Sequence, residues 1–132
     1  KFVTPTAFEI HGQKTALPTV EAVFQPLRKS WNRYSGLAFA PSLVDPIVPT
    51  NFNIQTQAVQ SFRRRSLETL VGCVGQISFR ILGDGDPLIV KRINTLADFT
   101  QYCPIGCNTQ LGMGVVRRVV SISTIWQKPH IS

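Results

Sequence analysis

Residues 52–82 read FNIQTQAVQSFRRRSLETLVGCVGQISFRIL. Phe52, Ile54, Thr56, Ala58 and Phe62 share one parity, and Asn53, Gln55, Gln57 and Ser61 the other. A period of two is the signature of a strand with unlike faces. After Arg63-Arg64-Arg65 the alternation returns from Gly72 to Leu82, where Val74, Ile77, Phe79 and Ile81 oppose Gln76, Ser78 and Arg80. The parity shift around Gly75 predicts a bulge there. Two such strands joined by a short Ser66–Val71 connection predict an antiparallel hairpin.

Upstream of the hairpin the period changes. Val20, Val23, Phe24, Leu27, Trp31 and Tyr34 fall at helical intervals, predicting a helix from about Pro18 to Tyr34 closed by Gly36, with a kink or late start at Pro26. Ahead of it, Lys1–Gly12 places Phe2, Thr4, Thr6, Phe8 and Ile10 on one parity and reads as one strand, edge or bent at Pro5. Residues 37–50 hold three prolines, show no period and read as an irregular crossing. Downstream, Asp86 is a natural N-cap before Pro87, and Leu88, Ile89, Ile93, Leu96, Ala97 and Tyr102 form the stripe of a second helix, stopped at Cys103-Pro104. A glycine-rich loop, Gly106 to Gly114, leads into a β-branched run from Val115 to Ile125. Strand, helix, strand, strand, helix, strand is the ferredoxin-like βαββαβ order: an α+β fold with a four-stranded antiparallel sheet and two helices on one face. The bare face of this topology stacks bases in RNA-recognition modules or packs on a second domain.

The chain has 132 residues, 43% of them apolar and 16% charged, which suits a single domain over 1–132 with one core. Fourteen Lys and Arg against seven Asp and Glu leave a net charge of +7, so nucleic acid is the first partner to consider. Eight phenylalanines argue against a disordered basic tail, and no apolar run approaches the roughly 18 residues of a membrane span. Cys73, Cys103 and Cys107 lack the spacing of a disulfide scaffold and read as reduced thiols of a cytoplasmic protein. Lys1 opens the chain and Met113 is its only methionine, which reads as a chain continuing from upstream sequence.

Three features together resemble a known family. These are the opening Phe2-Val3-Thr4-Pro5-Thr6-Ala7-Phe8, the helix with Leu27-x3-Trp31-Asn32, and Gly72-x2-Gly75 followed by a helix running into Ile105-Gly106-x5-Gly112-Met113-Gly114. They resemble the C-terminal half of the CRISPR-associated endoribonuclease (RAMP superfamily) that cuts CRISPR precursor RNA within its repeats. The resemblance implies two ferredoxin-like halves, of which this chain is the second, with CRISPR repeat RNA and the N-terminal half as partners. It also implies metal-independent cleavage without a cofactor: a ribose 2′-hydroxyl attacks the adjacent phosphate and leaves a cyclic phosphate and a 5′-hydroxyl, usually helped by a histidine of the first half. No residue here matches that histidine, so no catalytic residue is assigned and this chain alone is expected to be inactive. Where family members carry a first glycine and a basic residue, the loop has Pro104 and Asn108, while Thr109 matches.

The expected RNA contacts are the loop residues Gly106, Asn108, Thr109, Gly112 and Gly114, the run Arg63, Arg64 and Arg65, and the pair Arg117 and Arg118. Glycines let backbone N–H groups approach phosphate, and arginines neutralise it, although a tight turn and a solvated charge run would use the same residues. His11 and His130 have no partner at a suggestive spacing. Asp84 and Asp86 suit a turn and a cap better than a calcium loop, and Cys103 with Cys107 makes an incomplete zinc set, so no metal is expected. Phe52, Phe62, Phe79 and Trp126 would either stack bases on the bare face or pack on the other half. A non-catalytic RNA-binding module of the same fold is the alternative reading. A patch left bare by the missing half makes a symmetric homodimer the expected assembly.

Overall fold

The computed structural model describes residues 1–63, 66–83 and 86–119. The hairpin is its spine: β4 (Ile47–Arg63) and β5 (Ser66–Ile81) pair antiparallel from Ile47 opposite Ile81 to Arg63 opposite Ser66. The stretch expected to connect the strands, Ser66–Val71, is itself strand. The register slips between Pro49 and Asn51, where a proline has no N–H to give the ladder, and not at Gly75. Gly75 answers a different need. It stays in register opposite Ile54 at φ +117°, and a Cβ there would lie 2.2 Å from the Asn53 carbonyl oxygen.

The expected first strand is two. β1 (Phe2–Thr6) pairs with the other edge of β5, and four steps of β1 match two of β5, so the chain bends around Pro5. Beyond buried Ala7, β2 (Phe8–Ile10) folds back on β3 (Gln13–Thr15) through His11 at φ 50° and Gly12 at φ 77°. Two left-handed residues between paired strands make a type I′ turn, whose twist suits a hairpin.

Both helices begin where their caps dictate. α1 (Val20–Ser35) is capped by Thr19, whose hydroxyl accepts from the Ala22 amide at 3.1 Å, and closes at Gly36 (φ 74°). It runs on through Pro26 without a late start. α2 (Pro87–Phe99) is capped by Asp86 and ends before Cys103, because the Gln101 and Tyr102 amides turn back onto Asp98 and Phe99. Phe99, not exposed Tyr102, takes the last core position.

The helices share one face of the sheet. Phe24 meets Phe79 edge-on at 5.0 Å, and Val23, Leu27, Ile93, Leu96 and Cys73 close the core around them. The 37–50 crossing belongs to that core, contributing Phe39, Leu43, Val44 and Ile47. It is held by buried Arg28 and by Asn32, which both donate to the Phe39 carbonyl oxygen at 3.0 and 3.1 Å.

The described sheet has three strands, ordered β1-β5-β4, not the expected four. The beginning of the fourth is visible as a bridge between Phe2 and Val116, flanked by the Arg117 amide donating to the Lys1 carbonyl at 2.9 Å. Residues 120–125 of the expected strand lie outside the described residues. With two helices on one face of this sheet, the domain is ferredoxin-like.

Candidate nucleic-acid interface

Residues opposite each other in a ladder share a face. Ile77 and Cys73 join the helix-side core, so their partners Phe52 and Thr56 carry helix-side parity. The bare face is therefore built from Asn51, Asn53, Gln55 and Gln57 opposite Ser78, Gln76, Val74 and Gly72. Around half-buried Val74 it is a plane of amides and a hydroxyl. Such side chains hydrogen-bond to sugar, phosphate and base edges but offer nothing to stack on.

This corrects the aromatic expectation. Phe79 is core, and Phe52 and Phe62 have helix-side parity, 72% and 73% exposed where no helix reaches them. Trp126 lies outside the described residues. On the ribbon an apolar pair remains bare, where Phe62 sits opposite exposed Leu67.

The glycine-rich loop is moored to β1 by backbone bonds. The Cys107 amide donates to the Ala7 carbonyl at 2.8 Å, the Gly114 amide to Pro5 at 3.1 Å, and the Ile105 amide to Gly114 at 2.9 Å. A Cβ at Gly106 would lie 2.1 Å from the Ala7 oxygen, and one at Gly114 would lie 2.0 Å from the Ile105 oxygen. Packing thus accounts for both glycines, and the Gly114 amide is already bonded. Gly112 differs, since its φ is 85° but nothing lies within 4 Å of a Cβ. Asn108 (φ 57°) and Thr109 open a single 3-10 turn, Thr109–Leu111, and among the described residues their own amides carry no partner. They are the part of the loop free to meet a ligand. Met113 buries against Ala7 and Leu70, with Val59 packed alongside, and so fastens the loop to the base of the ribbon.

Among the described residues Arg63, Arg117 and Arg118 are not gathered in one place. Arg63 ends β4, roughly 13 Å along the strand from Val59, and Arg64 and Arg65 lie outside the described residues. Arg118 is tied to α2, its guanidinium 2.8 Å from the Asp98 carboxylate and bonded to Asn94. Arg117 and Arg118 both line, with Thr109, a cleft of about 680 Å³ between the end of α2 and the loop.

Burial pushes the Cys73 thiol up to about 11, and it also raises those of Cys103 and Cys107. Among the described residues no three His, Cys, Asp or Glu side chains gather as a metal site. His11 is exposed on its turn, and His130 and Asp84 lie outside the described residues.

Residues 1–116 match the family model of the CRISPR-associated endoribonuclease Cas6. The chain belongs to the Cas6 family. It is 23% identical over 124 residues to a Cas6 endoribonuclease of Streptococcus thermophilus, covering 88% of this chain and 48% of that protein. Solved Cas6 structures share its fold. One product complex has a TM-score of 0.78 at 18% identity, covering 91% of this chain and 50% of its own; a second has 0.74 at 20%, covering 90% and 49%. A Cas6 substrate mimic complex matches at 0.70 and 19% identity, covering 89% of this chain and 50% of its own. The chain thus spans about half the length of the Cas6 relatives it matches. Among the described residues no helix is long and apolar enough to cross a membrane.

Proposed function

We propose that this chain is the RNA-holding half of an endoribonuclease that processes CRISPR precursor RNA within its repeats, acting in the cytoplasm. The observation that carries the reading is the Cas6 match over residues 1–116 in a chain half the length of its relatives. The surface supports it. Asn51, Asn53, Gln55, Gln57 and Gln76 offer amide contacts, Asn108, Thr109 and Gly112 offer loop contacts, and Arg63, Arg64, Arg65 and Arg117 offer charge. Gly106 and Gly114 shape the loop, and Arg118 acts from its tie to α2.

The chemistry needs a base to take the 2′-hydroxyl proton and an acid to protonate the leaving 5′-oxygen. His11 is the one histidine of the described residues, and nothing packed around it orients it for either role. We therefore place the catalytic histidine in the other ferredoxin-like half, which is the partner of this domain. For a homodimer of this chain the ribbon offers the apolar pair Phe62 and Leu67, which the amide-rich bare sheet face does not.

The test is an incubation of saturating protein with end-labelled CRISPR-repeat RNA in EDTA. The expected outcome is a retarded complex and uncut RNA. Cleavage at one position that disappears in His11→Ala would place the base in this half and overturn the assignment.

A further inference from the structure

A cavity of about 400 Å³ opens between the β2–β3 hairpin, α1 and the glycine-rich loop, with Glu9, Lys14, Pro26, Cys107 and Asn108 in its lining. Glu9 and Lys14 stand opposite each other in the hairpin register, so their side chains leave the same face. They form no ion pair: among the described residues the one ion pair is Arg118 with Asp98. The Lys14 ammonium is therefore not neutralised by its nearest acid. Both charges act on Cys107, whose thiol is raised first by burial and then by Glu9, and lowered by Lys14. Both wall elements are held firmly. The type I′ turn fixes the hairpin, and the Cys107 amide bonded to Ala7 fixes the loop just before Asn108. The Asn108 side chain has no hydrogen-bond partner among the described residues, which leaves its NH2 group available as a donor.

A cation and an amide donor across a cavity of this size suit a phosphate. A lone carboxylate does not suit a divalent cation, which collects several oxygens. We propose that this cavity seats a phosphate of the bound RNA, with Lys14 supplying the charge, Asn108 a side-chain donor, and Glu9 restraining the affinity. The inference rests on the RNA-holding function proposed above and adds a contact from an element that carries none of the arginines. Lys14 thereby brings to the loop a positive charge that the loop's own residues 106–114 lack.

Lys14 and Glu9 are both exposed on a surface hairpin, so their replacement leaves the core untouched. The test titrates a labelled CRISPR-repeat RNA hairpin across a salt series with Lys14→Gln, Lys14→Arg and Glu9→Gln. Lys14→Gln should weaken binding several-fold and lower the slope of log affinity against log salt by about 0.7, the share of one single-stranded phosphate. Lys14→Arg should keep the slope, and Glu9→Gln should tighten binding. Saturating RNA should also slow alkylation of Cys107. An unchanged slope in Lys14→Gln with Cys107 unprotected, while loss of the Arg63–Arg65 charges still weakens binding, would overturn the phosphate seat and leave the RNA-holding function standing. Failure of the unsubstituted protein to bind the RNA at all would overturn both.

Discussion

Gly114→Ala should cost about 2 to 5 kcal/mol of folding stability, a large share of the roughly 5 to 15 kcal/mol a domain has. Two costs combine. The left-handed backbone at φ 85° is worth about 1 to 2 kcal/mol against any side chain, and a Cβ 2.0 Å from the Ile105 oxygen pushes the two arms of the loop apart, an overpacking that costs about 1 to 3 kcal/mol elsewhere. Opening that contact also strains the bond from the Gly114 amide to Pro5. Gly112→Ala isolates the first cost, because its φ is the same 85° in open space, and should lose only about 1 to 2 kcal/mol. Urea denaturation of the two variants decides the matter. Equal losses would mean that backbone handedness alone sets the role of these glycines and that the close approach of Gly114 to Ile105 costs nothing to open.

The second large effect is on binding. Replacing Arg63, Arg64 and Arg65 together with alanine should lower the salt slope by about 2, since each single-stranded phosphate released contributes roughly 0.7, and at about 0.1 M salt this amounts to on the order of a hundredfold in affinity. The run begins at the last residue of β4, whose pairing with β5 continues from Ile47 to Arg63. An unchanged slope would make it a solvated turn. Folding should be indifferent to the substitution, because the ribbon near its tip buries little: Phe62 and Leu67 are already exposed.

The parts of the fold legible in the sequence were those governed by local chemistry. Thr19 and Asp86 cap helices because their oxygens reach an amide two or three residues on, and Gly36 ends α1 because the left-handed position suits it. The hairpin was legible from its period of two. What period cannot show is how far the helices extend over the sheet. Phe52 and Phe79 carry the same helix-side parity, yet one is bare and the other packs on Phe24.

Nor does parity survive an irregularity. The slip at Thr50 and the bend at Pro5 each redirect every later side chain, and the bulge assigned to Gly75 was a close backbone approach instead. The β2–β3 turn escaped because His11 takes a position where asparagine is the usual signal. Buried Arg28 escaped because its partner is a carbonyl in the 37–50 crossing, which no pattern reveals.

At the site, the glycines were legible but their division of labour was not. Gly106 and Gly114 could be told from Gly112 only once Ala7 and Ile105 were seen against them. The amide-rich bare face stands in the sequence, as Asn53, Gln55, Gln57 and Gln76, but alternation alone does not say which of the two sets faces away from the helices.

If this half holds CRISPR repeat RNA, it should tell a CRISPR-repeat hairpin from a hairpin of the same length and stem but scrambled sequence, compared across a salt series. Charge is the same in both, so attraction to phosphate cancels and what remains reports shape and base contacts. The repeat should bind about tenfold tighter or more, and the gap should persist as salt rises. Equal affinities at every salt concentration would contradict it and leave only a basic surface that attracts any RNA.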